Sequence, residues 1–212
     1  MEAGLGPLQR LVVSLPTFLL AIILHEVAHG YVAYRLGDDT AKRAGRLTLS
    51  PLAHLDPLGT LMFVVSSLSG FGFGWAKPVP ISPWLLRNPR RDRALLTIAG
   101  PGANLLQAIA WSLLLRAVAL LSGSSLAYAL AIFCYYGVVM NLVFLVFNLF
   151  PIPPLDGSHV AAWLLGVRDL SLVDRLAPVG FVALILFVRT GAFSSVIGAV
   201  VEPLLRLLLH GL

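Results

Sequence analysis

From Ala117 to Leu155 the chain carries not one Asp, Glu, Lys or Arg. At about 1.5 Å per residue that run is too long for one membrane-crossing helix and too apolar for an element of a water-soluble domain. The natural break is Leu121-Ser122-Gly123-Ser124-Ser125, a turn that leaves a helix from Leu126 to about Leu149. Pro151, Pro153 and Pro154 then end that helix, because each removes a backbone donor and clashes with a continuing turn. Two more runs have the same character. Ala94 to Leu115 is uncharged up to Arg116, which can snorkel to a headgroup. Leu11 to Leu24 is uncharged and continues toward Tyr31, interrupted only by His25, Glu26 and His29. A signal peptide has a shorter apolar region and a small-residue cleavage site, so this first span reads as retained.

Pro57 to Ala76 is uncharged but broken by glycines, and it ends in Phe71-Gly72-Phe73-Gly74-Trp75. That predicts a span that stops short or breaks, which is tolerable only where protein or a wet cavity covers the backbone. Leu176–Val188 and Gly191–Leu209 are weaker. The expectation is an all-α polytopic membrane protein, a single domain over 1–212. About six spans are expected, at 11–32, 57–74, 94–120, 126–149, 172–189 and 191–209. A small β-strand or re-entrant element is expected near the site, from 45–50 and 77–81. Composition agrees: 58% of residues are hydrophobic and 12% charged, against roughly 25% charged in soluble domains, which excludes an ordinary soluble enzyme. The net charge of +5 is scattered, with no zinc-finger or aromatic-basic pattern, so no nucleic-acid partner is expected. Cys134 alone cannot form an intrachain disulfide. Arg35 to Arg93 holds nine Lys or Arg against four Asp or Glu, which places that segment on the cytoplasmic face. Arg87, Arg90, Arg91 and Arg93 read as solvated or facing anionic lipid.

His25-Glu26-Val27-Ala28-His29 carries the sharpest chemistry. Positions i and i+4 of a helix share a face, so both imidazoles can reach one tetrahedral metal. Glu26 lies beside that face, where it can accept a proton from water, the arrangement of a zinc hydrolase. Ionisable groups inside a membrane helix are costly unless paired, metal-bound or facing a polar cavity. A third protein ligand is needed, and Asp156, His54 and Asp56 are the candidates. Asp156 follows a proline-stiffened stretch and precedes Gly157; capping of the helix that starts there is its structural alternative.

His25 to His29, His54-Leu55-Asp56-Pro57-Leu58-Gly59-Thr60, Phe73-Gly74-Trp75-Ala76-Lys77-Pro78-Val79-Pro80 and Asn148 to Gly157 together resemble the site-2 protease family. These are M50-type intramembrane zinc metalloproteases, and the likeness is to the compact prokaryotic branch without a PDZ domain. It covers roughly Leu15 to Val160, with the motifs in the family's order. The resemblance implies one zinc per chain held by His25, His29 and Asp156, with Glu26 as catalytic base. It gives His54 an assisting role near the site and Asn148 a polar position before the proline-rich motif. Asn104, in Gly100-Pro101-Gly102-Ala103-Asn104, and Asn141 are cleft-lining candidates.

The implied activity is hydrolysis of a peptide bond within or near a transmembrane segment of a substrate protein. It would take place in the lipid bilayer of a cell membrane, with the site toward the cytoplasm and any regulatory or adaptor protein separate. An edge strand at 45–50 or 77–81 could hold an extended substrate, and a hairpin covering the membrane interface is the equal and compatible alternative. The competing class is a zinc-dependent transporter using the same ligands, but no second copy of the His25–His29 pattern supplies the repeated halves common in transporters.

Overall fold

The computed structural model describes residues 5–68, 72–121 and 123–211. Helix α1 (Pro7–Arg35) is followed by two single-turn helices, α2 (Thr40–Arg43) and α3 (Pro51–His54), and by α4 (Pro57–Leu68). An irregular segment and a 3-10 turn at Pro83–Leu85 lead into α5 (Pro89–Ala119) and α6 (Ser125–Asn148). The chain ends in α7 (Asp156–Leu164), α8 (Ser171–Arg175), α9 (Ala177–Arg189) and α10 (Ala192–Leu209).

Local chemistry explains the boundaries. Asn88 and Ser124 cap α5 and α6, their side chains accepting from the amides of Arg91 and Ala127. Gly123 turns the chain between these helices at φ 99°. The end of α6 at Asn148, just before Pro151, is the one the prolines predict.

Three helices, α1, α5 and α6, are long and apolar enough to cross a membrane. They coincide with the first, third and fourth expected spans. The other three are shorter. Helix α4 has 12 residues, about 18 Å against a hydrocarbon core of roughly 30 Å, so it stops short as its glycines predict; residues 69–71 of that expected span lie outside the described residues. The fifth divides into α8 and α9 near Leu176, and the sixth is α10, with 18 residues.

Both expected strands are corrected. The described residues hold no strand, and the segments at 45–50 and 77–81 are irregular, with one isolated antiparallel bridge between Leu55 and Ala76 nearby. Pro78 and Pro80 have no amide to give a ladder, and the amide between them, Val79 N–H, is spent on Glu26 at 2.8 Å.

Packing is inverted relative to a soluble globule. Leu106, Leu113, Leu126 and Leu186 are more than half exposed, while Asp38, His54, Asn104 and Asn141 are fully buried. That is the distribution expected of a chain whose solvent is hydrocarbon on the outside and whose polar groups must be satisfied within. Helices α5 and α6 approach closely through Gly137, where a Cβ would run into the Trp111 ring. Ala108, Val138, Leu142 and Val146 then close with Val201 of α10. Phe18 of α1 stacks on Phe63 of α4 with ring centroids 3.8 Å apart. Gly137→Val must push Trp111 aside, and overpacking of this kind costs about 1–3 kcal/mol. Thermal unfolding of the purified protein in detergent should show a lowered Tm for this variant, whereas Leu106→Val on the exposed face of α5 should leave it nearly unchanged.

Candidate metal centre

The i, i+4 spacing on α1 sets His25 and His29 on one face, with their Nε2 atoms 3.0 Å apart. The third group arrives from the far side of α6, at the opposite end of the family-like region. Asp156 is the first residue of α7, but its carboxylate does not cap that helix. Oδ2 instead lies 3.2 Å from His25 Nε2 and 3.3 Å from His29 Nε2. Gly157 permits the turn that brings it there: a Cβ at this position would overlap the Leu149 carbonyl.

Hydrogen bonds on the far side of each ring decide what these atoms can do. His29 Nδ1 faces the Leu96 carbonyl at 2.7 Å, a group that only accepts, so Nδ1 carries the proton. His25 Nδ1 lies 2.6 Å from Asn104 Oδ1. The orientation of that amide is set in turn, because Asn104 Nδ2 donates to the Ala21 carbonyl at 3.2 Å and to Asn141 Oδ1 at 2.9 Å, and Asn141 Nδ2 donates to the Gly137 carbonyl at 2.9 Å. In the neutral imidazoles both Nε2 atoms are therefore bare lone pairs. They converge on a carboxylate oxygen that is itself buried without a hydrogen-bond partner.

Three acceptors separated by 3.0, 3.2 and 3.3 Å, with no donor among them, form an arrangement that a cation satisfies. The spacing fits zinc: two donors about 2.0–2.1 Å from the ion at a tetrahedral angle stand about 3.3 Å apart. Gly100 of α5 leaves the room required, since a Cβ there would strike both Nε2 atoms. Leu96, Gly100 and Asn104 recur at i, i+4 and i+8, so one face of α5 supplies the carbonyl, the gap and the amide that orient the pair.

The other expected residues fall elsewhere. Glu26 is adjacent on α1, with Oε2 accepting from Val79 N–H and Oε1 without a protein partner among the described residues. His54 and Asp56, the alternative third ligands, are not in the group formed by His25, His29 and Asp156. His54 is fully buried at the end of α3, its Nε2 facing the Thr48 carbonyl at 2.8 Å. Its own carbonyl accepts from Lys77 N–H at 2.8 Å, while Arg46 Nη2 donates to the Lys77 carbonyl at 2.6 Å. His54 thus braces the segment that presents Val79 to Glu26. Asp56 accepts from Gly59 N–H at the start of α4. Asn104 and Asn141 are enclosed behind His25 rather than lining an open cleft, and Asn148 donates to the Phe144 carbonyl one turn back in α6.

Sequence reasoning overlooked the Leu96 carbonyl, Val79 N–H and the fully buried Asp38. Asp38 accepts from Ser82 N–H at 2.6 Å and Thr40 N–H at 2.9 Å and ties α1 to the stretch before α5. It also gave no role to His159, one turn after Asp156, whose Nε2 lies 3.4 Å from Asp174. Burial, then the neighbouring Arg93 guanidinium, hold the His159 imidazole below the ordinary histidine range.

Comparison with known proteins finds relatives named as zinc metalloproteases. A protein of Bacillus subtilis provisionally named zinc metalloprotease YwhC is 39% identical over 188 residues, 86% of this chain and 83% of that protein. Proteins provisionally named zinc metalloprotease Rip2 match over 66% of this chain and 52% of their own length, at 32% identity in Mycolicibacterium smegmatis and 36% in Mycobacterium tuberculosis. No family model and no solved structure matches. The chain belongs to the site-2 protease-like family of zinc metalloproteases.

The second layer of hydrogen bonds makes a prediction that the motif alone does not. Asn104→Ala frees the His25 ring and should weaken zinc binding about 10–100-fold. Asp156→Ala should abolish tight binding, and His54→Ala should leave the zinc content of folded protein unchanged. Metal content after dialysis against a graded chelator series checks all three.

Proposed function

We propose that this protein is an intramembrane metalloendopeptidase that hydrolyses a peptide bond within or near a transmembrane segment of a substrate protein. One zinc per chain would be held by His25, His29 and Asp156. The observation that carries this reading is the convergence of three buried acceptor atoms beside Glu26, on a helix apolar enough to span a bilayer. Zinc bound there supplies Lewis acidity, acidifying water and polarising a carbonyl.

The chain's own groups do the rest. Val79 N–H anchors one oxygen of Glu26 and leaves the other, Oε1, to accept the proton of the attacking water. Glu26 then takes that proton and passes it to the leaving amine as the peptide bond breaks. Leu96 and Asn104 hold the imidazoles in one tautomer throughout, so the histidines neither donate to nor compete for the travelling proton. A substrate helix has its carbonyls tied in hydrogen bonds and must be unwound locally before attack.

The proposed setting is the cell membrane, with the site open toward the cytoplasm. The excess of Lys and Arg between 35 and 93 supports that orientation. A regulatory or adaptor protein, where one selects the substrate, would be a separate chain, and no nucleic-acid partner is proposed.

Glu26→Gln keeps the hydrogen bond from Val79 but cannot accept a proton. Purified in detergent and mixed with a panel of single-span substrates, this variant should hold zinc as the wild type does while cleavage falls by about 10²–10⁴-fold. Cleavage at the wild-type rate would remove Glu26 from the mechanism. Zinc flux in proteoliposomes without any peptide hydrolysis by the wild type would replace protease with transporter.

A further inference from the structure

At the N-terminal end of α5 lies a groove of about 390 Å³ bordered by Asn88, Arg90, Arg93, Arg168, Asp169 and Ser171. It brings three guanidiniums together against one lining carboxylate. The charge is incompletely used. Arg93 gives Nη2 to both oxygens of Asp174, at 2.5 and 2.6 Å, leaving Nε and Nη1 without a protein partner among the described residues. Neither Arg90 nor Arg168 has a protein partner among the described residues, and both are exposed. Asp169, the nearby acid, already accepts from Ser171 N–H at 2.9 Å. A Cβ at Gly166 would stand 3.8 Å from Arg90 Nη2, so α5 reaches over to the α7–α8 turn that carries Arg168.

Three arginines lining one concave site carry donors that no protein group among the described residues satisfies, and the planar donors of arginine match phosphate oxygens. The surroundings fix the depth. Trp84, Leu164 and Leu165, beside the groove in sequence, are 78%, 71% and 82% exposed. Bare tryptophan and leucine next to arginine is the signature of a membrane interface.

We propose that this groove binds a phosphate group between Arg90, Arg93 and Arg168, carried by an anionic phospholipid headgroup or free in solution. An occupant ties α5 to the α7–α8 turn. It also sits on the chain Arg93–Asp174–His159, which ends on α7 one turn from Asp156. Occupation by a lipid headgroup rests on α5 lying in a membrane, and neither form of occupant depends on hydrolysis.

Full-length protein stripped of lipid in detergent tests it in two arms, with zinc content read in parallel as the check on folding and on the metal site. In the first, native mass spectrometry compares retention of phosphatidylglycerol with that of phosphatidylcholine. In the second, inorganic phosphate is titrated and thermal stability recorded. The expected result is preferential retention of one phosphatidylglycerol, weakened about fivefold by each of Arg90→Gln and Arg168→Gln, at about 1 kcal/mol per arginine. Arg168→Lys should weaken it less, and Arg43→Gln, outside the groove lining and paired with Asp39, should have no effect. Stabilisation by inorganic phosphate that is lost in the same two variants, without lipid preference, places the same site in use by a soluble anion. Retention unchanged in the Arg90→Gln/Arg168→Gln protein together with no response to phosphate, or equal loss in Arg43→Gln, overturns the proposal.

Discussion

Three oxygen and nitrogen lone pairs are forced to face one another inside an apolar helix bundle, and much of the structure follows from keeping them there. Left alone, His25, His29 and Asp156 would repel or would swap protons to make hydrogen bonds. The Leu96 carbonyl and the Asn104 amide oxygen prevent this by accepting hydrogen bonds from the two Nδ1–H groups, which keeps the protons there. Asn141, Ala21 and Gly137 in turn prevent Asn104 from turning over. Each of these groups is buried, and each is satisfied by another, so the cost of burying them is offset by a closed set of hydrogen bonds that ends at the two Nε2 atoms. Gly100 contributes by having no side chain to stand against the two Nε2 atoms.

A second constraint holds Glu26, the proposed general base. Glu26 is positioned by a backbone amide from outside α1, and the segment bearing that amide is held by His54, Arg46 and Lys77. Lacking a sheet of its own, the segment between α4 and α5 relies on these bonds and on the Asp38 anchor to pass close to α1. The prolines at 78 and 80 serve the same end, since they leave Val79 with the one amide in that stretch free to turn toward the carboxylate.

Much was legible in the amino-acid order. The charge-free runs located α1, α5 and α6, and the proline cluster located the end of α6, because helix length and proline sterics are local properties. The i, i+4 histidines share a helix face wherever the helix is placed. His54 was less legible: its position in a motif gave no sign of whether it turned toward the metal group or, as it does, toward Thr48. The expected strands failed because alternation at 45–50 and 77–81 says nothing about whether a partner strand is available, and prolines on both sides of Val79 already argued against a ladder. The lengths of the last spans were poorly legible because Arg189 and the shorter apolar runs around it leave the helix breaks to tertiary packing.

By itself, then, the amino-acid order determined an apolar, helical chain with ionisable groups set at helical spacing in its first span. These are consequences of hydropathy and backbone geometry within a few turns. Spacing left Asp156, His54 and Asp56 open and the family resemblance favoured Asp156; the tertiary structure brings Asp156 to the two histidines and alone decided which ring nitrogens are left bare and which amide holds Glu26. Those outcomes depend on distances between residues as far apart as His29 and Asp156, set by how closely α5 can approach α1 at Gly100 and how sharply the chain can turn at Gly157.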